Sequence, residues 1–171
     1  RYGVMLREDG LVFDDGTVTR LSQNRYLITT TTTHAGPVMT QLEYLAQVHW
    51  PELDVRMLSV SDDWAGIAVA GPESRALLEK LCDGVDLSNN ACPFMAYREG
   101  AIAGAPLRLF RISFSGELAY EINVPADYGP DVWAALLEAG KDQGVIPYGT
   151  EAMGILRTEK GHVVGGELSG R

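Results

Sequence analysis

Cysteine is scarce, basic residues are outnumbered and no long apolar run occurs, and each shortage removes a class of protein. Cys82 and Cys92 are the only cysteines, without CxxC spacing or clustered histidines beside them. They support neither a redox motif nor a zinc site and read as reduced thiols in or near the core. The 14 Lys and Arg stand against 23 Asp and Glu, for a formal net charge of −9 and a pI near 4.7. Nucleic-acid binders carry clustered positive charge that displaces counterions, so no nucleic-acid partner is expected. Net charge governs solubility and steering rather than a pocket, and an anionic small molecule stays open. Apolar runs such as Ala65 to Ala70 fall far short of the roughly 20 residues that span a bilayer. No basic-then-apolar leader opens the chain, which makes a cytoplasmic, membrane-free location the expectation. Walker, dinucleotide, GxSxG and HExxH patterns are missing too, so any redox cofactor must bind elsewhere.

The 171 residues are 46% hydrophobic, enough to bury a real core. Tyr2 to Leu6 reads as a strand, and Asp14-Asp15-Gly16 as the turn of a hairpin between Leu11–Phe13 and Thr17–Leu21. Asn24 offers a second turn, the β-branched run Arg25 to Thr33 a further strand, and Gly36-Pro37 a helix with Val38, Leu42, Leu45 and His49 on its apolar face. A second unit follows, with strands Val55–Ser61 and Ala65–Ala70 and a helix carrying Leu77, Leu78 and Leu81 inward.

Ser88 to Pro93 is turn-rich and reads as a link between lobes 1–91 and 92–171. The second lobe holds strands Leu107–Phe114 and Leu118–Val124. A helix from Asp131 packs through Val132, Trp133, Leu136 and Leu137, and a last helix runs from a Thr150 N-cap to Gly161. Strand pairs followed by helices imply an α+β fold, with helices on one face of antiparallel sheets. The strand at residue 2 and the Gly-rich end suggest a piece of a longer chain.

Glu121 lies between Tyr120 and Ile122 in an alternating, half-buried strand. An unpaired buried carboxylate costs about several kcal/mol, so this position asks for a partner or a ligand. Asp15 has a plain explanation, because Asp-Gly is a common turn. Glu117 beside Gly116 reads as a turn acid, while Arg157 and Glu159 on the last helix read as exposed charges or a surface ion pair.

Three strings carry a resemblance. Gly10-Leu-Val-Phe-Asp-Asp15, Gly116-Glu-Leu-Ala-Tyr-Glu121 and Leu156-Arg-Thr-Glu-Lys-Gly161 occur in order and resemble motifs of the aminomethyltransferase (glycine cleavage T-protein) family of folate-binding domains. Tyr148-Gly-Thr-Glu-Ala-Met153, Tyr2-Gly-Val-Met-Leu-Arg-Glu-Asp-Gly10 and Pro93-Phe-Met95 are closer to its branch in the alpha subunit of heterotetrameric sarcosine oxidase. The resemblance implies a partial folate-binding domain to which both lobes belong.

In that branch sarcosine is oxidised at a flavin, and tetrahydrofolate takes up the one-carbon unit as 5,10-methylenetetrahydrofolate. FAD, FMN and NAD then belong to the full complex and not to this segment, which by itself would be inactive. Carried over by motif, Asp15 matches the catalytic aspartate near the reactive folate nitrogens and Glu121 the glutamate that binds the pterin, with Tyr120 and Arg157 beside them. A carboxylate accepts the paired N–H donors of a pterin edge, and a second acid manages a proton. Met153 replaces the family's usual arginine, so that arginine's contacts do not transfer. A glycine cleavage aminomethyltransferase is the enzymatic alternative, and a noncatalytic scaffold for subunit assembly the alternative of another class.

Overall fold

The computed structural model describes residues 1–168. These fall into two units, Arg1–Val60 with residues from Val163 on, and Ser61–His162.

The first unit holds β1 (Tyr2–Leu6), β2 (Val12–Ser22), β3 (Arg25–Ile28) and α1 (Ala35–Tyr44). The sheet order is β1-β2-β3, antiparallel throughout. Two Asp-Gly pairs lie six residues apart, and the first one makes the hairpin. Asp9 accepts from the Leu11 N–H at 3.0 Å, and Gly10 adopts φ +79°, where only glycine is at ease. The expected turn at Asp14-Asp15-Gly16 is instead the middle of β2, with Val4 opposite Asp15 and Gly3 opposite Gly16. Gly16 is needed for closeness, since a Cβ there would lie 1.9 Å from the Thr29 carbonyl oxygen.

The turn at Asn24 forms as expected, but β3 stops at Ile28 and does not run through the threonines. The Asp14 carboxylate accepts from the Thr31 N–H at 3.1 Å, which draws the chain out of the ladder and into a 3-10 turn, Thr32–His34, leading to α1. The helix loosens into a π-helical turn over Leu45–His49, and the slipped register leaves His49 exposed against Tyr44. The expected strand Val55–Ser61 does not form. Its apolar residues Val55 and Leu58 are exposed, 54% and 81%, and among the described residues no neighbouring strand covers them.

The second unit contains β4 (Trp64–Ala70), α2 (Ser74–Glu79), β5 (Cys82–Asp83), β6 (Tyr97–Ile102), β7 (Ala105–Phe110), β8 (Ala119–Pro125), α3 (Gly129–Ala139) and α4 (Thr150–Glu159). Its antiparallel sheet has the order β4-β8-β7-β6-β5. Strands from both sides of residue 91 share this sheet, so the boundary expected at 91/92 runs through a single structural layer. One face is the core, where Leu109, Tyr120, Ile122 and Val124 pack with Leu77 and Leu78 of α2 and Val132 and Leu136 of α3. Each such side chain adds about 1.5–3 kcal/mol of burial.

Trp133, expected in the packing face of α3, is 44% exposed. Val132, Leu136 and Gly140 recur at helical spacing and turn it outward. Gly149 rather than Thr150 occupies the N-cap of α4, and Gly161, at φ +75°, ends that helix as expected. Cys82 and Cys92 are both unpaired, and burial pushes the Cys82 thiol up to about 11. Among the described residues no helix is long and apolar enough to cross a membrane.

Candidate functional site

Asp14 and Asp15 follow one another in β2, so the pleat sends their side chains to opposite faces. Asp14 is fully buried. Besides its bond to Thr31, its Oδ1 lies 3.4 Å from His34 Nδ1, a close approach without hydrogen-bond geometry, and His34 also stacks on Phe13. Asp14 is thus tied to the entry of α1.

Asp15 is half-buried and accepts two hydrogen bonds. The Tyr2 hydroxyl donates to Oδ2 at 2.9 Å, and the Gly165 N–H donates to Oδ1 at 3.0 Å. Burial, followed by this bond and the charge of Asp15, raises the Tyr2 hydroxyl above its ordinary range. Gly165 opens a single helical turn, Gly165–Leu168, and a Cβ there would approach Asp15 Oδ1 to 2.8 Å. Two fixed donors from distant parts of the sequence hold the carboxylate in one orientation.

Glu121 stands in β8 between Ala68 of β4 and Phe110 of β7. Desolvation alone raises its carboxyl above the ordinary value. No hydrogen bond or ion pair reaches it among the described residues. The face it shares with Ala119 and Asn123 also carries Arg108, which lies 3.9 Å over the Trp64 ring. The mid-strand acid therefore sits where the alternation places it, in a sheet and without a partner.

Tyr120 goes the other way. It is fully buried in the core, and its hydroxyl accepts from Arg75 Nε at 3.0 Å while Arg75 Nη2 donates to Asn89 at 2.7 Å. It therefore faces the core, on the side of the sheet opposite to Glu121, because neighbours in a strand cannot share a face. Arg157 Nη1 donates to the His162 carbonyl at 2.8 Å and so braces the turn after α4. Glu117 pairs with Lys160 at 3.1 Å. Asp15 and Glu121 belong to different units.

The family model for the GCVT N-terminal domain matches residues 1–171, and the chain belongs to that family. It is similar to the sarcosine oxidase subunit alpha of Rhizobium meliloti (strain 1021), 56% identical over 172 residues. The match covers 99% of this chain and 17% of that protein. The subunit of the same name from Corynebacterium sp. (strain U-96) is 47% identical over 168 residues, covering 98% of this chain and again 17% of the relative. The chain thus spans about a sixth of the length of these curated relatives. Among solved structures, the glycine cleavage system aminomethyltransferase T from Bartonella henselae superposes with a TM-score of 0.79 at 24% identity. That match covers 96% of this chain and 41% of the other, and it establishes the shared fold.

Proposed function

We propose that the chain is the tetrahydrofolate-binding part of a sarcosine oxidase alpha subunit, acting in the cytoplasm with the other subunits of a heterotetramer. The observation that carries this reading is the Glu121 carboxylate, embedded in β8, desolvated and without a partner in a member of the GCVT family. A two-oxygen acceptor held in a sheet fits the paired N–H edge of a pterin, and binding would return the hydrogen bonds its position denies it. Tetrahydrofolate would supply the nitrogens that take up the one-carbon unit from oxidative demethylation of sarcosine, giving 5,10-methylenetetrahydrofolate.

Asp15 is the acid that handles a proton in this reading. Tyr2 and Gly165 orient its oxygens, leaving the remaining lone pairs for a ligand. Arg157 acts through the turn it braces, and Tyr120 has no place in the ligand contacts. FAD, FMN and NAD belong to other parts of the complex. The identities of 56% and 47% to sarcosine oxidase alpha subunits, against 33% and 36% to aminomethyltransferases, favour this reading over an aminomethyltransferase.

The test is Asp15→Ala in the intact complex. Methylenetetrahydrofolate yield should fall and free formaldehyde rise, with sarcosine-dependent peroxide formation unchanged. Unchanged folate product would favour a scaffold.

A further inference from the structure

Three arginines reach the loop between β5 and β6 from three separate places in the second unit: Arg75 from α2, Arg98 from β6 and Arg111 from the residue after β7. Arg75 donates from Nε to the Tyr120 hydroxyl at 3.0 Å and from Nη2 to Asn89 Oδ1 at 2.7 Å. Arg98 donates from Nη1 to the Tyr97 carbonyl at 2.6 Å and from Nη2 to the Ala91 carbonyl. Arg111 donates from Nη1 to the Cys92 carbonyl at 2.7 Å. Their acceptors in the loop all fall within residues 89–92, which gathers the three guanidinium groups in one place. All three charges bear on the buried Cys92 thiol, each opposing the rise that burial imposes on it.

Every one of these acceptors is neutral. Among the described residues no carboxylate lies within ion-pair distance of the three arginines, although the chain carries 23 Asp and Glu against 14 Lys and Arg. Asp86, whose charge also bears on Cys92, accepts from the Ser88 N–H at 2.8 Å instead. Each arginine is half-buried. Like charges drawn out of water together are unfavourable without a counter-charge, and neutral acceptors offset only part of that cost. The guanidinium groups also keep donors in reserve. Nη1 of Arg75, Nε of Arg98, and Nε and Nη2 of Arg111 have no partner among the described residues.

The cluster stands apart from the position of Glu121. Arg98 lies opposite Leu109 in the ladder and Leu109 opposite Ile122, both of the core face, whereas Glu121 is on the other side of the sheet.

We propose that Arg75, Arg98 and Arg111 form an oxyanion site that takes the phosphate or carboxylate group of a small anionic ligand. A guanidinium fork matches the paired oxygens of either group, in bonds stronger than those it makes to carbonyls. The loop acceptors fix part of each fork, so the donors left over are oriented before a ligand arrives. The anion supplies the counter-charge that the protein's own acids do not. The site needs no folate, and its failure leaves the reading of Asp15 and Glu121 untouched.

Titration of inorganic phosphate, and separately of acetate, into the isotope-labelled protein tests this by NMR, with sodium chloride at matched ionic strength as the control. The Nε–H signals of the three arginines should shift together along one saturable curve, and the unfolding midpoint should rise more than in chloride. A response to phosphate alone assigns a phosphate ester, a response to acetate alone a carboxylate ligand, and a response to both an oxyanion site that accepts either. Arg75→Gln and Arg98→Gln should each weaken the responding probe about tenfold. Arg75→Lys, which keeps the charge and loses the fork, should fall between parent and Arg75→Gln. If a Gln variant does not fold, the parent titration and Arg75→Lys decide. No saturable shift with either probe in the parent protein, or unchanged affinity in the folded variants, would overturn the site and leave the arginines as braces of the loop.

Discussion

Tyr120 and Glu121 are adjacent in β8 and face opposite ways, the first bonded to Arg75 inside the core and the second desolvated without a partner. The strand period thus sends Tyr120 into the core and leaves Glu121 on the opposite face, where the proposed pterin contact is made. Tyr120→Phe leaves Arg75 Nε unpaired and should cost about 1 kcal/mol in denaturant unfolding. Tetrahydrofolate affinity should not change. A large loss of affinity without a loss of stability would return Tyr120 to the ligand contacts.

Glu121 gives the unliganded protein a pH dependence of definite sign. Its folded carboxyl titrates above its ordinary value, so the native state holds a proton that the unfolded chain releases. Stability should fall as pH rises from the ordinary carboxylate range through the raised folded value, and the full penalty is present above it. Glu121→Gln should remove this slope and be more stable near neutral pH by roughly 1 kcal/mol, with the gain absent at acid pH. Unfolding curves from pH 4 to 8 read it directly, and parallel curves would contradict it.

Gly16 should not tolerate a methyl group. A Cβ would meet the Thr29 carbonyl at 1.9 Å, and its nearest neighbours, all backbone atoms of Thr29 and Thr30, give little room to relax. Gly16→Ala should cost at least about 2 kcal/mol, at the upper end of overpacking, and weaken protection of the β3 amides in hydrogen exchange. Gly10→Ala, with open space but φ +79°, should cost about 1 kcal/mol.

Asp14 should prove structural and Asp15 functional. Asp14→Ala strands the Thr31 N–H and should cost about 1–3 kcal/mol in thermal or denaturant unfolding. A stability loss confined to Asp15→Ala would reverse the assignment.

The sequence made the α+β class, β4, β8, α3 and α4 legible, because alternation, helical spacing and the Gly161 stop agree there. It left the first hairpin ambiguous. Asp9-Gly10 and Asp15-Gly16 satisfy the same local turn chemistry, and only the approach of Thr29 to Gly16 decides between them. Val55–Ser61 alternates like a strand but lacks one beside it. β6, Tyr97–Ile102, is not legible as a strand because Arg98, Glu99 and Gly100 interrupt its apolar pattern. Glu121 stood out as a mid-strand acid that no turn explains. Ser113 left no such mark, since a serine in a loop is ordinary until the fold buries its hydroxyl without a partner.

On the proposed function, a folate completes the unpartnered carboxylate of Glu121. Calorimetric titration of tetrahydrofolate into the purified protein and its Glu121→Gln variant tests it most directly. Affinity should drop in the variant by roughly 1–3 kcal/mol, the loss of a charged acceptor. Equal affinity would place the folate elsewhere and contradict the account.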